Sequence, residues 1–132
     1  MVDCIVDTNV ISDVMTKDER WYDWSIDELT QSDRRLIVNP IIYAELCCKA
    51  ESFEETDLYL DVLQLRYVEM TRPALHLAAQ AFVLYRKRGG NETSPLPDFF
   101  IGVHAVASNL TILTRDQGRY KSYFPQVSLI SH

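Results

Sequence analysis

The stretch CIVDTNVISDV, residues 4–14, changes its pattern near the middle. It begins as a short apolar run rich in β-branched residues, which indicates a buried strand, and it continues with a pattern that suits a short helix. Asp7, Thr8 and Asn9 stand where the strand ends, and all three residue types also suit a helix N-cap. The stretch therefore predicts a strand-to-helix turn that presents a carboxylate, a hydroxyl and an amide together.

The rest of the chain repeats this alternation of short apolar strands and helices. Strands are predicted at residues 2–6, 35–38, 67–70, 110–114 and 127–130. Helices are predicted at residues 9–15, 18–29, 41–51, 54–65, 73–88 and 98–109, with a loop at 89–97 and at most one helical turn at 120–124. The alternation predicts an α/β fold whose mostly parallel central sheet is flanked by helices on both faces. With 132 residues and no repeat or linker, one domain spanning residues 1–132 is expected.

The composition argues against several classes of protein. A net charge of -6 disfavours a general nucleic-acid binder, because affinity for a phosphate backbone comes largely from Lys and Arg. No apolar run reaches the roughly 20 residues that a membrane helix needs, and the N-terminus does not resemble a signal peptide. A cytoplasmic protein without membrane contact is therefore expected. The three cysteines and three histidines give neither a disulfide framework nor a zinc-ligand spacing.

Four acidic residues have positions that suggest a site. Asp7 and Asp116 follow predicted strands, and ligands collect beyond the carboxyl ends of strands in open parallel sheets. Glu45 and Asp98 share helix faces with apolar residues, where a carboxylate is costly unless it is paired or metal-bound. Each acid also has a simpler explanation: a helix cap for Asp7, the helix dipole for Asp98, a turn for Asp116, and access to solvent for Glu45.

The joint interpretation of the four acids is a metal site. Four converging carboxylates would repel one another and raise one another's pKa values, and a divalent cation would remove that cost. Hard oxygen ligands select Mg²⁺ or Mn²⁺ over zinc.

Several segments together resemble a known family. VDTNV at residues 6–10, the isolated Glu45, PDFFIGVHA at 97–105 and LTRD at 113–116 look like the four acidic motifs of PIN-domain ribonucleases. Their order and spacing match, and the similarity continues to the closing YFPQVSLI at 123–130. Within that family the chain looks most like the VapC-type toxins of bacterial toxin–antitoxin modules. The resemblance implies a PIN-like three-layer fold.

The resemblance also implies an activity and its residues. Asp7, Glu45, Asp98 and Asp116 would be both the catalytic and the metal-binding set, with Mg²⁺ or Mn²⁺ as cofactor. The reaction would be the hydrolysis of RNA phosphodiester bonds by metal-activated water, with one or two ions in each site. As the toxin of a toxin–antitoxin pair, the protein would inhibit translation or growth.

Three neighbouring polar residues would support the acids in such a site. The resemblance implies that Thr114 places a hydroxyl near the metal or the attacking water. Asn9, together with Thr8, would brace Asp7 and orient its carboxylate.

A minority of basic residues would contact the RNA. Arg86 and Arg88 cluster at the end of a predicted helix, where cations are favoured in any case and can simply be solvated. Arg115 and Arg119 flank Asp116 and are the other candidates.

The resemblance also implies protein partners, namely a second copy of the chain in a homodimer and a small cognate antitoxin over the active-site face. Trp21, Tyr22 and Trp24 are candidates for the antitoxin surface, because aromatic residues are enriched at interfaces, although the tryptophans can equally pack in the core. Two alternatives to a toxin remain at this stage. One is a housekeeping PIN ribonuclease, and the other is a non-catalytic PIN-fold binding or scaffold module.

Overall fold

A computed structural model describes residues 1–89 and 96–132 of the chain, so most of the loop predicted at residues 89–97 lies outside the described residues. The described part contains one five-stranded sheet, and every strand pair in it is parallel. The strands are β1 (Val2–Val6), β2 (Arg34–Val38), β3 (Leu65–Tyr67), β4 (Thr111–Leu113) and β5 (Leu129–Ile130).

Helices connect these strands and flank the sheet, as the α/β interpretation predicts. They are α1 (Thr8–Met15), α2 (Tyr22–Leu29), α3 (Pro40–Cys47), α4 (Phe53–Val62), α5 (Arg72–Lys87), α6 (Leu96–Ser108) and α7 (Gly118–Lys121). Among the described residues, no helix is both long enough and apolar enough to span a membrane.

The sequence explains where several helices begin. Asn39, Ser52 and Thr71 each precede a helix and accept a hydrogen bond from a backbone N–H of its first turn, at 2.9, 3.2 and 3.3 Å. Such caps satisfy donors that the first turn leaves without partners. A proline lies in the first turn of α3 and of α5, where its missing N–H costs nothing.

The third strand differs from its predicted position. The sequence pattern placed a helix to residue 65 and a strand at 67–70, whereas α4 ends at Val62 and β3 already begins at Leu65. Gln64 lies between them in the left-handed region, with φ 56°. A left-handed residue ends the helix by turning the chain, and the apolar pattern does not reveal it.

The order of the strands creates a break beside β1. The sheet order is β3-β2-β1-β4-β5, so the chain adds β2 and β3 on one side of β1 and then crosses to add β4 and β5 on the other side. The carboxyl ends of β1 and β4 therefore flank a topological switch point, where ligands bind in open sheets of this kind. Cys4, Ile5 and Val6 of β1 are fully buried, which makes this central strand a rigid support for the residues that follow it.

A glycine in α6 positions the segment after β4. Any side chain at Gly102 would overlap the ring of Phe124, which is itself buried and packs edge-on against Phe99. The missing Cβ thus allows residues 120–124 to lie directly on α6. This contact brings α7 beside the carboxyl ends of β1 and β4.

Candidate active site

Asp7 and Thr114 meet at the switch point, because each directly follows one of the two adjacent strands. Asp7 is buried, and its Oδ2 accepts hydrogen bonds from Thr114 Oγ1 at 2.8 Å, Tyr120 OH at 3.0 Å and Asn9 Nδ2 at 3.4 Å. Asp7 occupies the N-cap position of α1, but its side chain makes no capping hydrogen bond. Helix capping therefore does not explain this aspartate.

Two further hydrogen bonds tie the β1 turn to the β4 turn. Thr114 Oγ1 accepts the backbone N–H of Asp116 at 3.0 Å, while it donates to Asp7. Asn9 Oδ1 is 3.5 Å from the backbone N of Arg115. Asn9 thus contacts both Asp7 and the β4 turn, and Thr114 links Asp7 with the segment that carries Asp116.

Glu45 joins this group through Thr8. The Thr8 hydroxyl donates to Glu45 Oε1 at 2.7 Å, so Thr8 acts on Asp7 through its backbone and not through its hydroxyl. The reason is that Thr8 is the first residue of α1, and α1 packs against α3, which carries Glu45. The backbone of Thr8 still favours the ionised form of Asp7 through a hydrogen bond. Glu45 is half-buried, and this hydrogen bond supplies the partner that its position on α3 requires.

Asp98 is a buried carboxyl group with a strongly raised pKa. It lies in the first turn of α6 with 4% of its surface exposed, and its buried Oδ2 has no hydrogen-bond partner. Burial raises the pKa of Asp98 to about 7. The guanidinium of Arg119 opposes this increase, whereas the negative charges of Asp7, Glu45 and Asp116 add to it. The other three acids predicted from the sequence therefore lie within electrostatic range of Asp98.

Asp116 and Arg119 form the exposed side of the group. Arg119 Nε donates to Asp116 Oδ2 at 3.1 Å, and its NH1 lies 3.8 Å from Asp98 Oδ1. The Arg119 charge also lowers the pKa of Asp7, although burial leaves that pKa above its ordinary value. Arg119, expected as an RNA contact, thus lies against the acids and partly neutralises them.

The other arginines expected to contact RNA have different environments. Arg115 Nε lies 3.0 Å from Asp13 Oδ2, without the alignment of a hydrogen bond, and the Arg115 guanidinium stacks 5.3 Å from the Trp21 ring centroid. Asp13 is buried and also accepts a hydrogen bond from Ser25 Oγ at 2.9 Å. Arg115 is therefore held in an ion pair with a buried acid, while 32% of its side chain stays exposed. Arg86 and Arg88 are exposed at the end of α5.

Trp21, Trp24 and His132 form a small aromatic cluster near α2. Trp21 contacts Trp24 and His132 edge-on, at centroid distances of 6.0 and 4.9 Å. Trp24 and Tyr22 pack against the hydrophobic core, whereas Trp21 lies outside it between Arg20 and Arg115. The core interpretation therefore applies to Trp24 and Tyr22, and Trp21 remains available as a candidate contact.

Tyr120 is the residue of this site that the sequence did not reveal. It is fully buried in α7, beside Asp7. Burial and the charges of Asp7 and Asp98 raise its pKa well above the ordinary value, so the phenol remains a hydrogen-bond donor. A tyrosine six residues after Thr114, at the start of the segment YKSYF, carries no pattern that distinguishes it from a core aromatic residue. Only the fold places it on Asp7.

The donor set fits a hard divalent cation, although the described residues do not form a closed cage. Within residues 1–89 and 96–132, no three Asp, Glu, His or Cys side chains are grouped tightly enough to hold an ion as they stand. The donors are nevertheless all carboxylate oxygens, which suit Mg²⁺ or Mn²⁺. The buried Asp98 Oδ2 without a partner is the atom that most clearly needs a cation, because an unpaired buried oxygen is costly.

Comparison with known proteins identifies the family. The family model of the PIN domain matches residues 4–124, and the chain belongs to that family. Among solved structures, the chain is similar to VapBC2 from Rickettsia felis bound to a promoter DNA fragment, with 19% identity, 99% of each chain covered and a TM-score of 0.70. It is also similar to VapBC-1 from nontypeable Haemophilus influenzae, with 17% identity, 98% of each chain covered and a TM-score of 0.68.

A third similar structure is FitAcB from Neisseria gonorrhoeae, with 22% identity, 96% of each chain covered and a TM-score of 0.62. At these identities the similarity establishes the fold. No curated protein sequence matches the chain.

Proposed function

We propose that the chain is a metal-dependent endoribonuclease and the toxin of a toxin–antitoxin pair. The observation that carries this proposal is the environment of Asp98. A buried carboxylate oxygen without a hydrogen-bond partner lies within electrostatic range of three further acids, at the switch point of a parallel sheet. Membership of the PIN family, whose members are nucleases, supports hydrolysis of nucleic acid as the reaction.

Each acid has a defined role in this proposal. Asp7 and Asp98 would be the buried ligands of Mg²⁺ or Mn²⁺, and Glu45, which Thr8 holds in place, would be a third. Asp116 completes the set at the rim, where half of its side chain is exposed and can face the RNA phosphate. A bound divalent ion supplies a nucleophilic hydroxide at neutral pH and neutralises the phosphate charge.

The protein itself orients these ligands before any substrate arrives. Thr114 and Asn9 fix the Asp7 carboxylate, and Thr114 also fixes the backbone of Asp116. Oriented ligands do not have to reorganise during the reaction, which is how a rigid site lowers a barrier. RNA contact outside the metal site falls to Arg119 and to the exposed Arg86 and Arg88.

The similarity to the VapBC2 and VapBC-1 structures supports a partner protein. We propose a cognate antitoxin as partner, with Trp21 at its interface, and a homodimer of the chain itself. A cytoplasmic location is part of the same proposal.

The experiment is cleavage of RNA by the purified chain, freed of any partner, with Mg²⁺ or Mn²⁺ and then with EDTA. Asp98→Asn removes a proposed ligand, and Asp61→Asn, on the exposed surface of α4, is the matched control. We expect metal-dependent cleavage by the wild type and the control, and none by Asp98→Asn. Cleavage by Asp98→Asn at the wild-type rate would overturn the proposal.

The cleavage assay, together with expression of the chain in cells and purification without removal of partners, separates the alternatives. Metal binding without cleavage of any RNA would favour a non-catalytic PIN-fold module. A housekeeping ribonuclease would cleave RNA but would not stop growth when expressed, and no small inhibitory protein would purify with it.

A further inference from the structure

Tyr120 and Thr114, from two different segments of the chain, donate hydrogen bonds to the same oxygen of Asp7. Tyr120 OH lies 3.0 Å and Thr114 Oγ1 lies 2.8 Å from Oδ2, whereas no hydrogen bond from a described side chain ends on Oδ1. We propose that Tyr120 is a positioning residue, which together with Thr114 turns Asp7 Oδ2 into the protein and leaves Oδ1 to bind the metal ion. This inference rests on the proposed function of the site.

Packing alone does not explain a tyrosine at position 120, because its buried hydroxyl needs a hydrogen-bond partner. The side chain is fully buried, so its hydroxyl must have a partner, and the partner is a carboxylate that is itself only 2% exposed. A phenylalanine would fill the same space without this bond. A hydrogen bond to a charged group is about twice as strong as a neutral one, and it also fixes the direction of the carboxylate.

The position of Tyr120 in the chain explains how it holds Asp7 so firmly. It follows Arg119, which contacts Asp98 and Asp116, and it precedes Phe124, which packs into the space left by Gly102. The segment is therefore anchored to α6 on one side, and it presents Tyr120 to β1 on the other. Asp7 is thus oriented from its own turn by Asn9, from β4 by Thr114, and from α7 by Tyr120.

The test is the affinity of the metal-free full-length chain for Mn²⁺ with no RNA present. Binding is monitored through the spectrum of the ion. Tyr120→Phe removes only the hydroxyl. Groups that orient metal ligands typically contribute roughly 10–100-fold to affinity, so we expect the Mn²⁺ affinity of the variant to fall by about 10-fold or more. Tyr123→Phe, which loses a hydroxyl from an exposed side chain three residues later, is the control and should bind like the wild type.

Catalysis gives a second, separate measurement. Tyr120 is buried and does not reach the RNA, so kcat at a fixed Mn²⁺ concentration should fall in Tyr120→Phe while KM for RNA stays at the wild-type value. A fall in thermal stability with unchanged Mn²⁺ affinity would instead assign Tyr120 a structural role and overturn the inference.

Two outcomes keep this inference distinct from the proposed function. If the wild-type chain binds no metal, the proposed function fails. If the wild type binds Mn²⁺ and Tyr120→Phe binds it equally well, only the inference fails. Should Tyr120→Phe not fold, Thr114→Val removes the shortest hydrogen bond to the same Oδ2, and a Mn²⁺ affinity equal to that of the wild type would overturn the orientation of Asp7 that the inference requires.

Discussion

Thr114 Oγ1 lies 2.8 Å from Asp7 Oδ2, although 107 residues separate the two positions in the chain. The contact exists because β1 and β4 are neighbours in the sheet and both end at the same edge. The same hydroxyl accepts the backbone N–H of Asp116. Thr114 therefore fixes the position of the buried Asp7 carboxylate relative to the backbone of the exposed Asp116.

The stability of the metal-free protein should fall as the pH rises from about 4 to about 7. The pKa of Asp98 is raised from its ordinary value of 3.8 to about 7 in the folded chain, so between these values the folded state holds a proton that the unfolded state has lost. Asp98 alone contributes a loss of roughly 4 kcal/mol of unfolding free energy, since one pKa unit corresponds to about 1.4 kcal/mol.

Urea unfolding in EDTA across this pH range measures the effect. Asp98→Asn should reduce the slope and be more stable than the wild type at about pH 8, and Asp7, whose pKa is also raised by burial, should keep part of the slope. A wild-type stability that increases steadily over this range would contradict the prediction.

Thr8→Val should weaken metal binding through Glu45. The variant keeps the shape of Thr8 but removes the 2.7 Å hydrogen bond that fixes the carboxylate, so we expect about a 10-fold loss in Mn²⁺ affinity. Thr16→Val is the matched control, because its hydroxyl is exposed and bonds only to Ser12 O of the preceding turn. Equal affinities of the two variants, measured by calorimetric titration, would rule out a role for Thr8.

Arg119→Gln should destabilise the metal-free protein and increase its response to Mg²⁺. The guanidinium lies between Asp98 and Asp116, and its loss leaves the acids to repel one another. We expect a loss of about 1 kcal/mol in EDTA, as for a partly exposed ion pair, and a larger rise in Tm on adding Mg²⁺ than the wild type gives. Lys121→Gln, exposed on the same helix, should match the wild type in both measurements.

Arg115→Gln should affect the fold more than the RNA. The change leaves the buried Asp13 without its ionic partner, and we expect about 2 kcal/mol less unfolding free energy. Arg86→Gln, at the exposed end of α5, should change stability by less than about 0.5 kcal/mol. If Arg115→Gln instead unfolds like the wild type and loses only RNA affinity, Arg115 is an RNA contact, as the sequence first suggested.

The sequence predicts the main architecture because the strands are short apolar runs between helical patterns. It also predicts the convergence of the four acids, since Asp7 and Asp116 follow strands and Glu45 and Asp98 lie on apolar helix faces. Both features can be predicted because they depend on the apolar pattern within single strands and helices.

Other features of the site depend on contacts between distant segments, which no local pattern encodes. From the sequence, Tyr120 cannot be distinguished from a core aromatic residue. Its hydrogen bond to Asp7 is visible only in the fold. From the sequence, Arg115 is expected to be free to contact RNA. In the fold it lies beside Asp13 and Trp21. The early start of β3 depends on the left-handed conformation of Gln64, which is a property of one residue's backbone.

The absence of a side chain at Gly102 couples two positions that lie 22 residues apart. The ring of Phe124 occupies the volume that a Cβ would need, so residue 102 can grow only if residue 124 shrinks. Alanine at position 102 should therefore be tolerated together with a smaller residue, such as leucine, at position 124, and not with phenylalanine. Among relatives that keep this packing, the summed side-chain volume at positions 102 and 124 should stay nearly constant. That volume sets how closely α7 approaches the acids.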